Sequence, residues 1–136
     1  MTNSWKNVIS IGIGAVLGTL GRYFLNLTML ETGYPFGTIL ENLTGSFILG
    51  FLTAWFSFLI PREWLKVGLG VGLCGSFTTM STLAADATFL FYTYTPFQSA
   101  LYVFGSMFGG VLLALIGFLV GSILAKKYKH RRKEVT

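Results

Sequence analysis

Gly75, Ser76, Phe77, Thr78, Thr79, Met80, Ser81 and Thr82 put five hydroxyl side chains into eight consecutive positions of an otherwise apolar stretch. Hydroxyls can replace part of an ion's hydration shell, and backbone that unwinds at membrane depth adds carbonyls that do the same for a cation. Lipid offers unwound backbone nothing. It survives only where protein or a water-filled cavity satisfies it, and such interruptions line ion and substrate sites. In a continuous helix the same hydroxyls would simply bond carbonyls one turn back.

Other polar residues share one level. At 1.5 Å per residue, counted from the helix ends nearest the first and third loops, Arg22 lies about 10 Å deep and Asn42, Asp86 and Tyr102 about 9 Å deep. Each comes from a different span. Glu41, beside Asn42, falls on another helix face. A charge within the membrane costs roughly 2.5 to 3.5 kcal/mol, which makes Arg22 a functional candidate. It either biases a vestibule toward anions, or snorkels to headgroups or pairs with Asp86 or Glu41. Asn42 either donates to an anion or bonds a neighbouring helix. Catalysis has little to work with, since the one His130 lies in a basic tail and the one Cys74 is isolated. No catalytic residue is assigned, and the chain is not expected to be an enzyme.

The elements that position these residues follow from composition. Of 136 residues, 53% are hydrophobic and 11% charged, and the mean hydropathy is +0.67, which describes an integral membrane protein. About 20 apolar residues cross a bilayer. The expectation is a single all-α transmembrane domain over 1–136, with helices at about 5–29, 36–59, 65–92 (interrupted at 75–82) and 96–125, and a basic tail at 126–136. Pro35, Pro61 and Pro96 mark span boundaries. The first span lacks a cleavage signal and is expected to stay.

The net charge of +5 comes mostly from Lys126, Lys127, Lys129, Arg131, Arg132 and Lys133. Such tails meet membrane lipids, not nucleic acid. Lys6, Arg62 and Lys66 share the tail's side, while loops 31–35 and 93–95 carry no Lys or Arg. Charge alone therefore places both termini in the cytoplasm. Segments 67–75 and 111–125 are nearly all apolar or glycine, so one subunit has a polar entrance and an apolar floor. An inverted second copy would supply the missing half, and carbonyl ends meeting near a shared axis would suit a hard cation such as Na⁺. Gly14/Gly18, Gly68/Gly72, Gly105/Gly109 and Gly117/Gly121 have the spacing of close helix packing. Ser10, Thr53 and Ser57 are expected to bond their own helices, and Trp5, Trp55 and Trp64 to sit in an interfacial belt.

Three motifs carry a resemblance along nearly the whole chain: Gly21-Arg22-Tyr23, the run from Gly37 through Glu41-Asn42 to Phe47, and residues 75–82. They resemble the CrcB/Fluc family of fluoride channels. The resemblance implies a dual-topology antiparallel homodimer in the inner membrane, with two pores that let cytoplasmic fluoride leave passively and so confer fluoride resistance. It also implies a structural Na⁺ at the two-fold axis, held by backbone carbonyls here matched by Gly75 and Thr78. The implied fluoride pathway comprises Asn42, Thr79, Met80, Ser81, Thr82, Leu83, Tyr102 and Ser106, with Arg22 in the vestibule. Met80 and Leu83 stand where the family usually has phenylalanine, whose ring edge is electropositive. Either the anion is handled by hydroxyls, amides and Asn42, or the chain conducts weakly. Gly110 replaces a frequent serine, and Glu41 a usually apolar residue. The alternative is a small multidrug-type proton-coupled exporter. It needs a carboxylate in its chamber, for which Asp86 or Glu41 would have to serve.

Overall fold

A computed structural model describes residues 4–29, 33–59 and 62–134, with side chains described to Arg131. Pro61 and Glu31 lie outside the described residues, as do the side chains of Arg132 and Lys133. The described residues are all helical or connecting, with no strand. Helix α1 spans Ser4–Met29 and α2 Phe36–Phe58; α3, Glu63–Val67, runs into wide π-helical turns at Gly68–Cys74, and the short α4 follows at Gly75–Phe77. Helix α5 covers Ser81–Thr93 and α6 Pro96–Glu134. Four stretches, Ser4–Met29, Phe36–Phe58, Glu63–Thr93 and Pro96–Arg131, are long and apolar enough to cross a membrane.

Boundary chemistry matches the residues present. Pro35 precedes α2 with φ −77°, and Pro96 opens α6, where its missing N–H costs no hydrogen bond. Helix α6 does not stop at Ala125. It continues to Glu134, because the basic residues after Ala125 are good helix formers and no Gly or Pro interrupts them. Their positive charge also favours the negative end of the helix dipole. The basic segment is therefore helical through Glu134, and its first turns fold onto α2. The Lys126 ammonium lies 5.2 Å from the Phe58 ring centre, and Tyr128 is 6.0 Å from Trp55.

Small residues bring the helices together. A Cβ at Gly14 would strike the Gly68 carbonyl, one at Gly18 the Leu73 carbonyl, and one at Gly72 the Ile11 carbonyl. This fixes α1 against the third span. On the other side, Gly50 meets the Ala114 backbone, while Gly117 and Gly121 meet the Phe47 and Phe51 carbonyls, fixing α2 against α6. The Gly105/Gly109 pair does not behave as its spacing suggests: Gly109 touches Leu43, but nothing approaches Gly105 within 4 Å. Spacing alone does not say which face of a helix has a neighbour. Ser10 also departs from expectation, donating to the Trp64 carbonyl across helices at 2.6 Å. Thr53 and Ser57 do bond their own helix, at Leu49 and Thr53.

Candidate functional site

The site forms where α4 gives way to α5. Thr78 has extended backbone (φ −81°, ψ 152°) immediately after Phe77, and helix resumes at Ser81. The Thr78 N–H and Oγ1 both donate to the Cys74 carbonyl at 3.1 Å, closing the last turn of α4. Asn42 then reaches across from α2. Its Nδ2 donates to the Thr79 carbonyl at 2.9 Å, and its Oδ1 accepts the Thr79 N–H at 2.8 Å. One side-chain amide thus satisfies both backbone groups of a residue outside regular helix, which a membrane interior requires.

Thr79 Oγ1 organises the next turn. It accepts the Thr82 N–H at 3.2 Å, as a residue capping a helix N-terminus does, and lies 3.2 Å from Ser81 Oγ and 3.1 Å from Thr82 Oγ1. Three hydroxyl hydrogens serve these two hydroxyl–hydroxyl links, so one O–H is left to point elsewhere. The Gly75 and Thr78 carbonyls are among those that lose their helical donors. In a continuous α-helix Gly75 would accept from Thr79 and Thr78 from Thr82, but those N–H groups go to Asn42 and to Thr79 Oγ1.

Asn42, Thr79, Met80, Leu83, Ser106, Gly75 and Thr78 all line one open cleft of about 510 Å³, joined by Ser46, Met107 and Gly110. Met80 is 66% exposed there, whereas Leu83 is 3% exposed and packs with Leu90 and Tyr102. The two apolar replacements are thus not equivalent. Ser81 is exposed beside the cleft. Thr82 instead lines a second cleft of about 300 Å³, with Asn26, Tyr34, Thr38 and Asp86.

The residues at a common depth do not form one cluster. Tyr102 is buried, its hydroxyl 2.8 Å from Asp86 Oδ2 and 3.0 Å from the Pro35 carbonyl. Asn42 pairs with Thr79. Glu41, fully buried, takes a 2.8 Å hydrogen bond from Asn26, a residue the sequence reading passed over. Asn26 also donates to the Arg22 carbonyl at 3.0 Å. The carboxylates offered to Arg22 as partners are therefore bonded to Asn26 and Tyr102, and half-buried Arg22 lines neither polar cleft. The signal that could have found Asn26 is its spacing, one turn beyond Arg22 on the same face.

The carbonyl pair at Gly75 and Thr78 fits a hard cation that prefers uncharged oxygen. Both carbonyls have lost their helical donors, both residues line the open cleft, and nothing approaches a Cβ placed on Gly75 within 4 Å. Among the described residues no group of three or more His, Cys, Asp or Glu could hold a metal.

Residues 9–118 match the family described as CrcB-like protein, Camphor Resistance (CrcB). The chain is 55% identical over 130 residues to fluoride-specific ion channel FluC 2 of Halalkalibacterium halodurans, covering 96% of each protein. It is 41% identical over 116 residues to fluoride-specific ion channel FluC 2 of Bacillus subtilis, covering 85% of this chain and 88% of that one. Identity to fluoride-specific ion channel FluC 1 of Lactobacillus johnsonii is 38% over 132 residues, with coverage of 96% and 99%. A family match across most of the chain, joined to four membrane-spanning helices, makes this a multi-pass membrane protein belonging to the CrcB-like family.

Proposed function

We propose that this chain is a fluoride-selective channel that lets cytoplasmic fluoride leave passively across the inner membrane and so protects the cell. The observation that carries the reading is the reciprocal pairing of Asn42 with the Thr79 backbone. It keeps polar backbone and hydroxyls together at a cleft among the membrane-spanning helices whose lining carries no charged residue. The names of the relatives supply the identity of the anion.

Fluoride is small and strongly hydrated, so a selective path must replace its water with closely placed donors in a narrow space. Asn42 Nδ2 has a second N–H beyond the one given to Thr79. The spare O–H of the Thr79, Ser81 and Thr82 group and the Ser106 hydroxyl add to it. Met80 and Leu83 form the apolar wall that keeps bulk water out. Tyr102 acts from behind that wall by holding Asp86, and Arg22 contributes a long-range positive field to the vestibule.

The polar half-pathway and the open face beside Met80 support an antiparallel homodimer, in which an inverted copy completes each route. The interruption between α4 and α5 would then lie near the two-fold axis. The Gly75 and Thr78 carbonyls would hold a Na⁺ there, which when bound supplies a fixed positive charge between the subunits. The basic end of α6 would rest on anionic lipid.

The test is fluoride efflux from liposomes loaded with potassium fluoride, read by electrode after a potassium ionophore is added. Fast release without chloride release is expected. Release strictly dependent on a proton gradient would favour the exporter instead. A terminal tag protected from external reagent in every molecule would remove the dual-topology part of the reading.

A further inference from the structure

The polar clefts belong to the proposed pathway, but a third cleft does not. It runs between α1 and the third span, has a volume of about 390 Å³, and is walled by Ile13 and Leu17 on one side and Leu69 and Leu73 on the other. Its floor is the backbone contact of Gly14 with Gly68. Its only hydroxyl, on Ser10, is already committed to the Trp64 carbonyl. The one charged group in its lining is Lys6, exposed at the first turn of α1. An occupant must therefore be apolar along its length and anionic at one end.

Dimensions narrow the choice. From Lys6 to Leu17 the cleft follows twelve residues of α1, about 17 Å at the helical rise, and half of a hydrocarbon core is about 15 Å. A helix of that length has a volume on the order of 1,000 Å³, far more than the cleft holds. A single extended hydrocarbon chain reaching from headgroup to midplane matches both the length and the cross-section. Ile9, Ile13 and Leu17 are each more than half exposed, as an intramembrane site open to lipid requires. Lys6 can extend its ammonium to the phosphate while its stem covers the mouth of the cleft.

We propose that the cleft between α1 and the third span binds one acyl chain of an anionic phospholipid whose headgroup is held by Lys6. The site is independent of the ion pathway. The test uses the full chain with Trp5 and Trp55 changed to Phe, so that Trp64 at the cleft is the sole indole. Its fluorescence is followed in phosphatidylcholine vesicles containing a low mole fraction of brominated phosphatidylglycerol or brominated phosphatidylcholine. Brominated phosphatidylglycerol is expected to quench with about fivefold higher apparent affinity, the factor one lysine near an anionic surface supplies. Lys6→Gln should abolish that preference and Lys6→Arg keep it, with unchanged melting in detergent for both. Equal quenching by the two lipids, a preference that survives Lys6→Gln, or no quenching by either because a second copy covers the cleft, would each overturn the proposal.

Discussion

The contact of α1 with the third span and the junction of α4 with α5 solve opposite problems with nearby residues of one chain. At Gly14, Gly18 and Gly72 side chains are absent, so intact helices approach until backbone meets backbone. At Thr78 and Thr79 the helical ladder is given up, and a side chain, Asn42, takes over the backbone's hydrogen bonds. The first arrangement gains packing and exposes nothing reactive. The second diverts two N–H groups from the carbonyls they would have closed, and gathers hydroxyls around a cleft. Rigid backbone packing on one side lets the junction on the other hold its geometry without a regular helix.

Removing Asn42 breaks that comparison most severely. Asn42→Ala strands the Thr79 N–H and carbonyl, and each unsatisfied buried group costs about 1–3 kcal/mol. A loss of fluoride efflux of about a hundredfold or more follows if these costs fall on the pathway. Asn42→Asp keeps an acceptor for the Thr79 N–H but loses the donor and adds negative charge, so its efflux should also collapse while the protein still purifies folded.

On the packing side, Gly14→Leu should abolish stable protein, because its Cβ meets the Gly68 carbonyl and backbone cannot yield as a side chain would. Gly105→Ala, with open space around it, should raise stability in detergent by the roughly 0.5–1 kcal/mol that alanine gains over glycine inside a helix. A destabilisation would show that another copy covers that face.

The two apolar wall positions sharpen the contrast further. Leu83→Phe inserts volume into a buried site and should cost about 1–3 kcal/mol, whereas Met80→Phe stands in the open cleft and should alter efflux while leaving melting unchanged. Glu41→Gln is milder than Leu83→Phe. Its amide oxygen can still accept from Asn26, so the melting temperature should move little, by the equivalent of about 1 kcal/mol or less. Asn26→Leu, which leaves the buried Glu41 carboxyl without its donor, should cost more than that.

Much of this was legible before any coordinates. Hydropathy marked four spans because a bilayer demands long apolar runs, and the three motifs carried the family. Depth counting put Arg22, Asn42, Asp86 and Tyr102 at one level, and each lies in a helix long and apolar enough to cross a membrane, but depth is a single coordinate. It carries no azimuth and no partner. The structure divides them among separate pairings, Asn42 with Thr79 and Asp86 with Tyr102, and introduces Asn26 as the partner of Glu41. The Ser10 bond to Trp64 was hidden for the same reason, since it depends on how closely two glycine-rich faces approach. The helical run past Ala125 was missed because charge density was read as a tail, although its residues favour helix.

The most direct measurement is fluoride efflux from proteoliposomes containing equal amounts of folded wild-type protein and Asn42→Ala. The account predicts fast, chloride-silent release for the wild type and release near the empty-liposome leak for the variant. Equal rates in the two would contradict it, because the Asn42 pairing with Thr79 would then have no part in the ion pathway.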